Sequence, residues 1–443
     1  MARFRRRSCV ALLALALVLL VVVVFLKSFG PEDSRVSSGF GRGLSPRLSK
    51  PEKIPILPVA EAAHVKTKAS LAGGAMNLET LMEEAMPKPN YNLHAFYYTW
   101  YGSPTFDGKF IHWNHPLLKH WDPKVAAGYP EGNHSPPDDI GANFYPALGP
   151  YSSRDPSVID HHMQQLRAAA VGVLAVSWYP PGMKDDNGES TDDIVPLVLD
   201  AAHEYEIKVA FHIEPYGGRD ETNMFENVKY IVEKYGDHAA FFRHETRTGQ
   251  SLPLFYVYDS YLLSSQKWAQ LLKPSGKTSI RNTPYDGVFV ALLVEDKHKK
   301  DIVASGFDGV YTYFATNGFS YGSTYRNWRS IKSFCDENGL MFIPSVGPGY
   351  IDTSIRPWNS QNTRNRINGK YYETALSAAV EAGARVISIT SFNEWHEGSQ
   401  IEMAVPKAGH PVYQDYLPHR PSVYLEVTRK WAKKIHALAS EKV

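Results

Sequence analysis

Two cysteines in 443 residues rule out a disulfide framework, so this chain must be held together by its core. Cys335 lies in "SIKSFCDENGL", which reads as an amphipathic helix with a buried thiol. Charge of one sign is also lacking. Lys and Arg number 47 against 46 Asp and Glu, a net charge of +1, which offers nothing to draw a nucleic acid. No H-E-x-x-H is present, and no Gly-rich turn follows a strand to cradle a phosphate. The second absence places an open, doubly wound sheet below a barrel among the possible folds. His112, His115, His120 and the adjacent His161–His162 do not fall at the spacing of a known metal signature.

What the sequence has in quantity is aromatic surface, with 26 Tyr and 9 Trp. Such rings pack cores, and their amphipathic faces also suit sugars. Hydrophobic residues make up 43 % of the chain, enough for a large core.

The opening "MARFRRR" is followed by a charge-free stretch, residues 8–26, rich in Leu and Val. Its length matches the ~20 residues an α-helix needs to cross a bilayer. It is too long for the apolar part of a cleaved signal peptide, and no small-residue cleavage site follows. The expectation is an uncleaved signal anchor with residues 1–7 in the cytosol and the rest lumenal, a single-pass type II arrangement. Cys9 would sit at the membrane edge, across from Cys335. Residues 27–90, rich in Pro, Ser and Gly, read as a stem. Residues 91–435 read as one domain and 436–443 as a tail. The sequon at Asn133 would be lumenal, and Pro136 directly after Ser135 weakens it as a glycosylation site.

From Tyr91 onward, eight short runs of apolar, β-branched and aromatic residues recur: 94–101, 171–179, 207–216, 253–261, 287–295, 308–314, 340–350 and 385–395. Amphipathic segments such as "DPSVIDHHMQQLRAAAV" separate many of them. Buried strands alternating with helices imply parallel pairing covered on both faces. Eight of them predict an α/β fold, a (β/α)8 TIM barrel with long βα-loops.

In such a barrel the active site lies where the strands end. Those ends are rich in aromatics and carboxylates. Tyr97, Trp100, Trp178, His212, Glu214, Tyr313, Asn393 and Trp395 are the candidate sugar contacts. A single strand-end tyrosine could equally be core; the coincidence across strands points to a cleft. The last run closes on "FNEWHEG", with Glu394 and Glu397 three residues apart. A carboxylate pair is the machinery of glycoside hydrolysis. The spacing allows ~5 Å in a helical turn or ~10 Å in extended chain, so both retaining and inverting geometries remain open.

Long stretches of the chain, from about 91 to 433, resemble glycoside hydrolase family 99, the endo-α-1,2-mannosidases. The resemblance rests on "FYYTWYG", "IHWNHP", "HWDP", "SWYPP", "FHIEPY", "FYVYDSY", "IPSVGPGYIDTSIRPWN", "NTRNRINGKYY" and "ITSFNEWHEG". It implies a Golgi-membrane glycosidase that cleaves inside glucosylated high-mannose N-glycans and releases glucosyl-mannose, without metal or other cofactor. The family's catalytic pair matches Glu394 and Glu397. The resemblance implies that Glu394 deprotonates the substrate's 2-hydroxyl to give a 1,2-anhydro sugar. Glu397 then serves the leaving oxygen and later the attacking water. A silent glycan-binding member of the family is the alternative. The Leu/Val-rich anchor is more similar to that of the animal endo-α-mannosidase-like branch.

Overall fold

The computed structural model describes residues 86–440 apart from 186, 187 and 189. The expected anchor and almost all of the stem lie outside them. Among the described residues no helix is long and apolar enough to cross a membrane.

Ten strands form: β1 (Asn90–Tyr97), β2 (Val171–Trp178), β3 (Lys208–Ile213), β4 (Arg243–Glu245), β5 (Ser251–Val257), β6 (Val288–Leu292), β7 (Gly309–Tyr311), β8 (Met341–Ile343), β9 (Ser345–Val346) and β10 (Ile387–Ile389). All but β4 pair in parallel, in the order β8-β7-β6-β5-β3-β2-β1-β10-β9. The short β4 lies off this path, antiparallel to β5. The two end members, β8 and β9, are one strand broken at Pro344, which has no N–H to give a ladder. Its first half pairs with β7 and its second half with β10. The ring thus has eight positions, each of the eight predicted runs supplies one, and the arrangement is that of a (β/α)8 barrel.

β2 is buried along its whole length, as parallel strands covered on both faces must be. Helices form the cover. Helix Pro156–Ala168 starts with Asp155 accepting from the Ser157 N–H and Pro156 in the first turn, so its orphan donors are met and its φ pre-set. Helix Glu221–Tyr235 has a capping box between Asp220 and Asn223. Helix Val423–Ser440 runs past the boundary at 435 read from the sequence, and Asn90 at the start of β1 donates to its Ala432 carbonyl at 3.0 Å. Cys335 is buried, and that burial pushes its thiol up to about 12.

Strands at the C-terminal mouth are shorter than their apolar runs. β7 and β10 have only three residues each. There the chain leaves the ladder early, and side chains take over the hydrogen bonding. Asn393 beyond β10 receives the Tyr98 N–H on Oδ1 at 2.8 Å and donates to the Tyr98 carbonyl at 2.9 Å, acting as a peptide group in the missing rung.

Candidate active site

The floor of the mouth is aromatic. Phe96, His212, Tyr256, Tyr311 and Tyr313 meet inside the barrel at ring separations of 4.7–6.3 Å. Tyr98 and Tyr313 join hydroxyl to hydroxyl above it. His212 bonds Tyr311 through Nε2 at 2.9 Å, and its Nδ1 lies 3.4 Å from Glu214 Oε1. Glu214 accepts from Ser177 Oγ at 2.7 Å. Burial holds His212 down to about 3, so its ring is neutral at physiological pH. It can orient a hydroxyl but cannot serve as a cationic acid.

Strand alternation sorts the predicted contacts. Phe96 and Tyr98 point into the barrel, which turns Tyr97 outward. Its hydroxyl bonds His162 Nδ1 at 2.9 Å in the helix layer, and its ring stacks on Phe392. Trp178 also faces outward: its indole donates to Asp192 at 2.8 Å and stacks on Tyr230. Both are therefore corrected from sugar contacts to wall packing. Asn393 and Trp395 are fully buried. Asn393 is the clip described above. The Trp395 indole N–H is shared between Glu402 at 2.9 Å and Tyr151 at 3.1 Å. These two hold the tip of β10 in place. Trp100 is half-buried and stacks between Tyr98 and His112, at 4.5 and 4.6 Å. His212, Glu214 and Tyr313 lie at the floor, and Asn133 is on the exposed loop after β1.

The two glutamates lie in the turn that follows. Glu394 is 4 % exposed. Its Oε1 accepts the His396 N–H at 3.0 Å, while its own N–H is given to Ser391 Oγ at 2.8 Å. Glu397 is partly exposed at the mouth. Its carbonyl accepts from the Ile351 N–H at 2.8 Å, which ties the turn to the loop after β9. Gly398 makes this possible. Its φ is +55°, and a Cβ there would stand 2.6 Å from the Ile351 side chain.

Among the described residues neither carboxylate has an ion-pair partner, and the charge of Glu397 bears on Glu394. Burial, and then the charge of Glu397, push Glu394 well above the usual carboxylate range. Burial raises Glu397 to about 7 against the pull of Arg356. Arg356 is itself anchored on buried Asp352 at 3.1 Å, and Tyr350 donates to the same carboxylate at 3.0 Å. Burial raises the hydroxyl pKa of Tyr98, Tyr258, Tyr313 and Tyr350, and the charge of Glu397 adds to it, so these four tyrosines lie within its electrostatic reach. A carboxyl pair at one place can supply one group as acid and one as base. Among the described residues, no group of three or more His, Cys, Asp or Glu is arranged to hold a metal ion.

A barrel with two carboxyl groups raised in pKa at its mouth is the equipment of a glycosidase. The sequence model of glycosyl hydrolase family 99 matches residues 88–437. The chain belongs to glycoside hydrolase family 99. As a member of this family it is a glycoside hydrolase. It is 60 % identical to the glycoprotein endo-alpha-1,2-mannosidase of Xenopus laevis, over 98 % of both chains. It is 56 % identical to the human glycoprotein endo-alpha-1,2-mannosidase-like protein, again over 98 % of both. The expected leaning toward the second branch is not visible in these nearly equal identities. The solved family 99 endo-alpha-mannosidase of Bacteroides thetaiotaomicron superposes with a TM-score of 0.73 at 46 % identity, covering 79 % of this chain and 98 % of that one.

Arg356, Asp352, Tyr350 and Glu402 were not among the expected functional residues. Three of them lie in "GPGYIDTSIRPWN", where only the conspicuous motif, and no periodicity, marks them.

Proposed function

We propose that this family 99 hydrolase is an endo-α-1,2-mannosidase that cuts glucosylated high-mannose N-glycans and releases glucosyl-mannose. The observation that carries the reading is the Glu394/Glu397 pair on one turn at the barrel mouth, both raised in pKa, with no cation among the described residues ion-paired to either acid. The printed names of the relatives support the mannose specificity.

In the proposed reaction Glu394 acts on the 2-hydroxyl of the mannose at the cleaved bond. In its ionised form Glu394 is the base toward that hydroxyl. As Glu394 takes that proton, O2 attacks the anomeric carbon and a 1,2-anhydro sugar forms. Glu397 gives its proton to the departing glycosidic oxygen, as a group poised at about 7 can. Glu397 then takes a proton from water as the water opens the three-membered ring, and Glu394 returns its proton to O2. Each acid ends as it began, and the anomeric configuration is retained. Two carboxylates three residues apart on one turn suit a hydroxyl and a leaving group on neighbouring atoms of one sugar.

The arginines before residues 8–26 and the charge-free run itself support a single-pass type II anchor, with residues 27–90 as stem and the barrel lumenal. With the N-glycan substrate, this supports a location at the Golgi membrane.

The test is digestion of a labelled glucosylated oligomannose followed by mass spectrometry. Wild type should release a glucosyl-mannose disaccharide, and Glu394→Gln and Glu397→Gln should each abolish release while keeping the fold. Binding without any product would refute the reading, as would full turnover by either variant.

A further inference from the structure

Trp121 is 77 % exposed, more than any other aromatic side chain among the described residues. It sits on the long loop after β1, on the same face of the barrel as the mouth. The His120 ring stacks on it at 3.8 Å, and Trp358 stands almost perpendicular, 5.3 Å away at 85°. One face of the Trp121 indole is thus covered and the other left to solvent, beside an aromatic wall. His120 Nδ1 accepts the Asp122 N–H at 3.0 Å.

The corner is joined to the reaction centre. The Trp358 indole donates to the Leu118 carbonyl at 2.8 Å, and the Leu118 N–H to the Ile355 carbonyl at 2.7 Å. The next residue is Arg356, the cation that pulls on Glu397. The corner therefore flanks the Glu397 side of the pair, which in the proposed reaction serves the leaving oxygen.

We infer that Trp121, walled by Trp358 and backed by His120, is a stacking platform for a mannose unit of the leaving arm, beyond the units at the cleaved bond. An open indole face matches the C–H face of a pyranose. The platform rests on the functional reading above, and it is continuous with the catalytic mouth through the loop that carries Arg356.

Two measurements on the full chain test this. The first compares a glucosylated oligomannose with an extended leaving arm and one truncated to a single mannose on that side. Trp121→Ala should raise KM for the extended substrate about tenfold, leave its kcat unchanged, and leave the truncated substrate unaffected; Trp121→Phe should recover most of the loss. Equal effects on both substrates, or none, would overturn the platform. The second needs no turnover: calorimetric titration with an oligomannose lacking glucose, which Trp121→Ala should weaken by a similar factor. Equal affinities would again overturn it. A wild-type chain that binds in this way but releases no disaccharide would refute the functional reading and leave the platform standing. A variant that loses self-association in sedimentation, with glycan affinity unchanged, would instead assign the patch to a second copy and overturn the inference.

Discussion

Glu397 stands between burial, which favours its neutral form, and Arg356, which favours its charge; burial wins and the carboxyl rests at about 7. Two consequences follow for pH. In the proposed reaction Glu397 is the proton donor and must be protonated, so kcat/KM should fall as pH rises through about 7. A pH series on the free enzyme checks this, and a profile flat to pH 9 would contradict the assignment. The other consequence concerns stability. Between 4.5 and about 7 the native state keeps a proton that the unfolded chain has released. Folding stability therefore falls as pH rises through that window. Glu397→Gln removes this cost and should stabilise the chain at about pH 8 by roughly 1–3 kcal/mol, with no gain at about pH 4. Thermal unfolding at the two pH values measures the difference. A more stable variant without activity would mark Glu397 as a group kept for chemistry at the expense of the fold.

The turn after β10 acts as one rigid element. Glu402 is fully buried and accepts from Tyr151 at 2.9 Å, His162 at 3.1 Å and Trp395 at 2.9 Å. With His162 Nε2 donating, its Nδ1 is left to accept from Tyr97, so every donor in this network runs toward one carboxylate. Glu402→Gln would place an amide N–H₂ against donors, leaving at least one of them unsatisfied. We expect kcat to fall between about tenfold and a hundredfold, with KM little changed and the circular dichroism spectrum retained; a KM-only effect would argue against this role. Gly398→Ala should also displace Glu397, because the new methyl would meet the loop after β9. Activity loss exceeding that of an exposed Gly→Ala control such as Gly249 would support it. The sequence shows the acids of this turn, because two carboxylates end an apolar run. It does not show Glu402, whose partners lie up to 251 residues away with no local pattern linking them.

The barrel was legible for a simple reason: parallel strands buried on both faces are written as continuous apolar runs, and all eight were readable. Continuity also hides parity. A run without alternation does not reveal which side chains face the interior, so Tyr97 and Trp178 looked like mouth residues although they point to the helices. The loops that deliver Arg356, Asp352 and Trp358 have no period to read, and their roles become visible only where distant segments meet.

The floor of tyrosines and acids has a bearing on which glycans gain entry. Glu214, Glu394 and Glu397 lie in one hollow, and Arg356 is the cation whose field reaches both members of the pair. A phosphomonoester on the sugar to be cut would bring close to two negative charges beside these three acids. Neutral mannose arms should be processed freely, and the same arm carrying a 6-phosphate should be spared. In a mixed glycan pool, phosphorylated chains would emerge intact, which a charge-resolved separation of the digest would reveal.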